Sequence, residues 1–421
     1  VTTDMNRKLL TIGGAGLVMT LMTGCAGGAG GNSSSSGDTG VEYGATPEEY
    51  QDALVDMEPI TLTYQSTASS PTEPMALRSQ SFADNVQEVS GGKISIDVVY
   101  GHAIAGTGEI ADALADGRLD LAYELLMYEP SKYPATDALY ASTAVFEPSP
   151  LVGEMAANAA FLDVAWSTPE LHDELEHNGL VPLMPVDAAG TVFSICGDGG
   201  VDLDTWDGRQ IRVSGTVQQE QVRELGGSPV SMNFLEVYEG LQRNVVDCTL
   251  MNLNTGIPLG LIEVAANVSY PETNSFTRGA GGFFGGLNFK ELPLAAQQLI
   301  FDQVEGYFGD SLRSSIGSGA DASERVNQSN GSFLSFSEEA DDALSNAYSS
   351  VEEYLSETGN EDMLKRMSEA YEYWTDAAVE LGYQNEGDYG DFHEWFDSEE
   401  FSPDDFAAEF FEQVVLPHRP A

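Results

Sequence analysis

Two α/β domains are predicted for this chain, on three observations. Runs that alternate with period two recur between segments of helical spacing in two successive blocks, 60–186 and 191–251. The 421 residues exceed one ordinary domain of roughly 150 residues. The chain is 42% hydrophobic and 10% aromatic, enough to build packed cores despite 68 Asp+Glu against 17 Lys+Arg. The formal charge of −51 therefore belongs to a solvated surface suited to salty surroundings. With no basic stripe to neutralise phosphates, it excludes nucleic acid as a partner.

At the N-terminal side, Asn6-Arg7-Lys8 precede an apolar, Gly-rich stretch at 9–22 that ends Met22-Thr23-Gly24-Cys25. Positive residues, an apolar centre and small closing residues make 1–25 a signal peptide in expectation, and Gly13, Gly14 and Gly16 dilute it too much for a membrane span. The closing residues resemble a bacterial lipobox, which implies Cys25 as a lipidation site and an extracytoplasmic, lipid-anchored protein. Residues 26–57, dominated at first by Gly and Ser, are expected to be a flexible linker.

The first domain is expected at 58–187, completed by segments after about 288. Its strands are 60–64 and 94–100, then 119–123 after a helix at 109–116 that Gly117 stops; a helix at 74–89 carries Met75, Leu77, Phe82, Val86 and Val89 near helical spacing. Strands separated by helices predict a largely parallel sheet. The second domain, 188–287, repeats the pattern with strands at 191–195, 211–213, 230–232 and 245–251 and a helix at 217–225. A Gly-rich strand spans 276–289, and 288–381 is expected to hold connecting and C-terminal helices. The acidic extension 382–421 carries Phe392, Trp395, Phe396, Phe401, Phe406, Phe410 and Phe411, which favours a docked segment.

Catalytic and cofactor motifs are missing. The glycines at 279–286 lack the Gly-Lys-Ser/Thr of a phosphate loop and the GxGxxG spacing of a dinucleotide loop. Asp202, Asp204 and Asp207 miss calcium-loop spacing, with Val213 where Glu is required. His172 and His177 lie five apart, and no GxSxG elbow occurs. No catalytic residue, metal or cofactor is expected. Cys196 and Cys248 could form a bridge or remain two buried thiols, since metal spacing is absent.

The informative block is Leu203-Asp-Thr-Trp-Asp-Gly-Arg-Gln-Ile-Arg-Val-Ser-Gly215, followed by Leu225-Gly-Gly-Ser-Pro-Val-Ser-Met-Asn-Phe-Leu-Glu-Val-Tyr238 and Val245-Val-Asp-Cys248. It resembles the DctP-like solute receptors of TRAP (tripartite ATP-independent periplasmic) transporters, and the resemblance extends over nearly all of 58–381. It implies a two-domain periplasmic-binding-protein-like (type II-like) fold with a cleft, connecting strands and a long hinge-spanning helix. It also implies a function: binding a small organic acid and delivering it to the TRAP permease subunits in the membrane, without catalysis. An ABC-type or sensor-associated receptor is the alternative, and a secreted hydrolase a distant one.

In that family an Arg at the place of Arg212 forms a bidentate salt bridge with the ligand carboxylate, a task suited to a planar guanidinium. Phe234 matches an aromatic that packs on the ligand. The family's ligand-contacting Asn falls on Met251, with Asn252 and Asn254 as nearby substitutes. A second Arg frequent in relatives is missing around Thr191, which is carried as a site residue by position alone. Tyr64, Glu124 and Tyr128 are expected on the first-domain side of the cleft. The acidic surface repels a carboxylate at long range, so the cleft must present local positive charge.

Overall fold

The computed structural model describes residues 40–187, 190–279 and 281–421. The alternating runs of the first block become strands β1 (Ile60–Gln65), β2 (Ile94–Val99) and β3 (Leu121–Glu124). With β4 (Val181–Asp187) and β10 (Gly281–Gly285) they form a sheet of order β2-β1-β3-β10-β4. The second sheet has the order β11-β9-β5-β8-β6-β7, from β5 (Val192–Cys196), β6 (Gln210–Val213), β7 (Ser228–Ser231), β8 (Cys248–Asn252), β9 (Asn267–Tyr270) and β11 (Ser332–Ser335). Each sheet anchors one lobe, which gives the two-lobed α/β architecture.

Two strands depart from the expected boundaries. Gly281–Gly285, placed at 188–287 with the second domain, returns to the first sheet and runs antiparallel between β3 and β4. Its glycines permit that insertion: a Cβ on Gly281 would lie 2.1 Å from the Glu124 carbonyl, and one on Gly282 would lie 2.6 Å from that of Pro185. Strand β11 lies inside 288–381, between the connecting and C-terminal helices expected there, and pairs in parallel with β9. It starts beside Gly331, where a Cβ would meet the Ala266 carbonyl at 1.9 Å.

The long helix Val304–Gln328 joins the lobes. At roughly 1.5 Å per residue its 25 residues span about 37 Å. Its N-terminal half buries Tyr307, Phe308, Leu312 and Ile316 in the first core, and its C-terminal half buries Ala322 and Val326 in the second. The remaining helical stretch is broken into Glu338–Glu357 and Met363–Glu380, separated by Gly359 at φ 77°.

The linker expectation fails between 46 and 57. Thr46 and Glu49 form a capping box that starts the helix Pro47–Ala53, and buried Tyr50 bonds Asp302. Arg419, near the other end of the chain, grips the same Asp302 at 2.7 Å and the Val41 carbonyl at 2.6 Å. The 382–421 segment packs on both lobes: Phe406, Phe410 and Phe411 enter the first core and Tyr389 the second. The signal peptide, Cys25 and the Gly/Ser stretch before residue 40 lie outside the described residues. Among the described residues no helix is long and apolar enough to cross a membrane.

Candidate functional site

A cavity of about 130 Å³ opens between the lobes, bounded by chain that leaves the carboxyl ends of the parallel strands. Thr67 to Ser69 follow β1, Leu125, Met127 and Tyr128 follow β3, Ser214 follows β6, Phe234 follows β7, and Asn252, Asn254 and Thr255 lie at the end of β8. Open α/β sheets bind ligands in this crevice because side chains there are free of the ladder yet held by it.

Arg212 forms the cation of the site. β6 is flanked in parallel by β7 and β8, so a residue near its end is enclosed, and Arg212 is 2% exposed. Nε donates to the Met232 carbonyl at 2.9 Å, Nη1 to the Leu250 carbonyl at 3.0 Å and Nη2 to the Tyr128 hydroxyl at 3.1 Å, across the cleft. A guanidinium has about five N–H donors; these three bonds leave one on each Nη, available to the oxygens of a carboxylate. Burial pushes its pKa down, partly opposed by Tyr128. No carboxylate pairs with it among the described residues.

Two other large buried arginines differ on that point. Arg78 pairs with buried Asp187, and Arg278 pairs with buried Glu154 at 3.0 Å. Arg212 thus keeps an uncompensated charge in a desolvated place, which is costly until an anion enters.

Of the residues singled out in the sequence, Phe234, Met251, Asn252, Asn254 and Tyr128 line the cavity beside Arg212. Asn233 presents Phe234 by accepting the Leu235 N–H at 3.1 Å, which fixes the turn. Asn252 accepts from Thr255 N at 2.9 Å and so caps the helix Leu253–Gly256 that carries Asn254. The bridge between Cys196 and Cys248, S–S 2.06 Å, joins directly opposed residues of β5 and β8.

Three expected site residues lie elsewhere. Tyr64 is fully buried in the first core, its ring centroid 4.8 Å from that of Phe283 in a tilted contact and its hydroxyl bonded to that of Tyr307 at 2.9 Å; the chain turns into the cleft only from Thr67. Glu124 sits on β3 between Tyr123 and Leu125, which do line the cavity, so strand alternation sends it to the other face. Both its oxygens lack partners, and burial lifts its pKa to about 8. Thr191 belongs to the lobe junction: its hydroxyl donates to Glu154 at 3.0 Å, accepts from Arg278 at 2.9 Å and meets Tyr389 at 3.0 Å.

Sequence reasoning missed Glu73, Met75, Met127, Ser214 and Gln218 on the cavity wall. Met127 and Ser214 carry the signal of position just past a strand's carboxyl end, whereas Glu73, Met75 and Gln218 lie further along the chain at or near the start of the following helix. Among the described residues no group of three or more His, Cys, Asp or Glu could hold a metal ion.

Residues 65–358 match the family model for bacterial extracellular solute-binding protein, family 7 (DctP). The chain belongs to this family. Its members are extracytoplasmic solute-binding receptors, and the Arg212 cleft lies within the matched segment. Solved structures share the fold at low identity. A marine metagenome TRAP solute-binding protein specific for aromatic acid ligands, in complex with 3-hydroxybenzoate, has TM-score 0.67 and 16% identity, covering 75% of this chain and 99% of its own. The Rhodoferax ferrireducens TRAP solute-binding protein with copurified benzoate gives 0.65 and 15%, covering 76% and 99%. The sugar acid binding protein from Advenella mimigardefordensis, in complex with galactonate, gives 0.64 and 18%, covering 76% and 100%.

Proposed function

We propose that the protein is the extracytoplasmic receptor of a TRAP transporter, binding a small organic acid through its carboxylate on Arg212 and handing it to the membrane permease. A lipid on Cys25 would keep it at the membrane. The observation that carries this reading is a guanidinium 2% exposed, free of any acidic partner among the described residues, with one N–H left on each terminal nitrogen. Family membership and relatives described with 3-hydroxybenzoate, benzoate and galactonate support it.

The arrangement also implies gating. Tyr128 comes from the first lobe and Arg212 from the second, so a ligand held by both favours the closed form and shifts its population. Nothing in the site calls for bond-breaking. Thermal denaturation with a panel of carboxylates tests the proposal: an acid at 100 times its Kd should add about 2.7 kcal/mol. Stabilisation by no acid, or equally by matched neutral amides, would contradict it.

A further inference from the structure

The cleft holds a second charged side chain, Glu73, and we infer that its ligand is amphoteric: a small acid whose carboxylate meets Arg212 and whose ammonium group meets Glu73. This rests on the carboxylate reading of Arg212 and adds the other end of the ligand.

Glu73 lies in the segment between β1 and the helix Ala76–Val89, half-buried on the cavity wall. One of its oxygens accepts the Ser69 N–H at 2.9 Å, and no basic side chain pairs with it among the described residues. A second acceptor lines the same cavity. Asn254 is 4% exposed, and its Oδ1 has no donor, while its amide nitrogen reaches only the Met75 sulfur at 3.6 Å. Both acceptors therefore neighbour Met75, Glu73 in sequence and Asn254 by contact. Arg212 bonds instead to Met232, Leu250 and Tyr128, and no ion pair joins it to Glu73.

The cavity wall thus carries a donor in Arg212 and acceptors in Glu73 and Asn254, with Met127, Leu250, Met251 and Phe234 supplying apolar wall. A plain monocarboxylate leaves Asn254 Oδ1 without a donor and Glu73 without a counter-charge once closure removes water, an arrangement that costs affinity. A dicarboxylate places like charge against Glu73. An ammonium group satisfies both acceptors and gives a neutral ligand, which the −51 protein does not repel at long range. The volume limits the body to about one ring, since a cavity of roughly 150 Å³ holds benzene.

Calorimetry on the full chain tests this with matched pairs: 5-aminopentanoate against pentanoate, 6-aminohexanoate against hexanoate, phenylalanine against 3-phenylpropanoate, with glutarate as the dicarboxylate. The expected result is at least one pair in which the amino form binds about 10-fold tighter or more. Glu73→Gln should erase that preference, weakening the amino form while leaving or improving the plain acid and glutarate. Plain acids binding as tightly as their amino partners in every pair, equal effects of Glu73→Gln on both members, or no binding by any pair would overturn the inference. The first two results leave the carboxylate reading standing as long as Arg212→Met abolishes plain-acid binding. Acid binding that survives Arg212→Met removes both.

Discussion

The lobe junction and the cleft each bury an arginine, and only the junction completes it. At the junction Arg278 meets Glu154, and Thr191 and Tyr389 close the network, so charge and hydrogen bonds are satisfied within the protein. In the cleft Arg212 receives two carbonyls and a hydroxyl but no counter-charge. The first arrangement fixes a structure; the second stores an unmet demand for an anion. Glu124 sharpens the contrast, because it too is buried without partners. A carboxyl can escape by taking a proton, as its pKa of about 8 indicates, whereas guanidinium stays charged in proteins.

The largest expected effect comes from breaking the junction. Arg278→Met leaves Glu154 buried without its counter-charge and should cost about 3–5 kcal/mol in urea unfolding. A loss below about 1 kcal/mol would erase the distinction between the two arginines. Next is the bridge that fixes β5 against β8, whose Leu250 carbonyl holds Arg212. Replacing Cys196 and Cys248 by Ser opens a loop with a sequence separation of 52 and should cost about 2–4 kcal/mol, read by thermal denaturation under non-reducing conditions. An unchanged melting temperature would show that the ladder alone sets this register.

The Glu124 contrast predicts a pH signature. Its ordinary value of 4.5 rises to about 8 in the fold, so between these the unfolded chain is ionised while the folded chain holds its proton. Stability contributed at this site therefore falls as pH rises from 4.5 towards 8 and stays low above it. Glu124→Gln should be more stable than wild type at pH 9 and no different at pH 4, by denaturant titration at both values. A pH-independent difference would contradict the burial argument. The smallest effect is expected from Tyr128→Phe, which removes one cross-cleft hydrogen bond and should weaken acid binding by about 1 kcal/mol in calorimetry. A loss as large as that from removing Arg212 would make the hydroxyl, not the guanidinium, the main anchor.

Arg212 was legible because the Arg209-Gln-Ile-Arg212-Val213 run places it at a strand end inside a long ordered motif. Phe234, Met251, Asn252 and Asn254 followed from the same ordered spacing. Glu124 lies off the cavity because one residue along a strand reverses the face, and Tyr64 because the chain reaches the cleft only past the strand's end; local sequence announces neither. The Arg278 to Glu154 pair spans 124 residues, and no local pattern announces it. β10 lost its alternation to glycine, which has no side chain to reveal a period. The helix Pro47–Ala53 was hidden behind the Gly/Ser composition before it, although Thr46-Pro-Glu-Glu49 carries a capping box.

The most direct test is Arg212→Met, with folding stability of the unliganded protein and acid binding measured on the same preparation. The account predicts unliganded stability equal to or above wild type, because an unpaired buried charge is removed, together with a loss of acid binding of about 100-fold or more. Destabilisation on the scale of Arg278→Met, or acid affinity that survives the substitution, would contradict it.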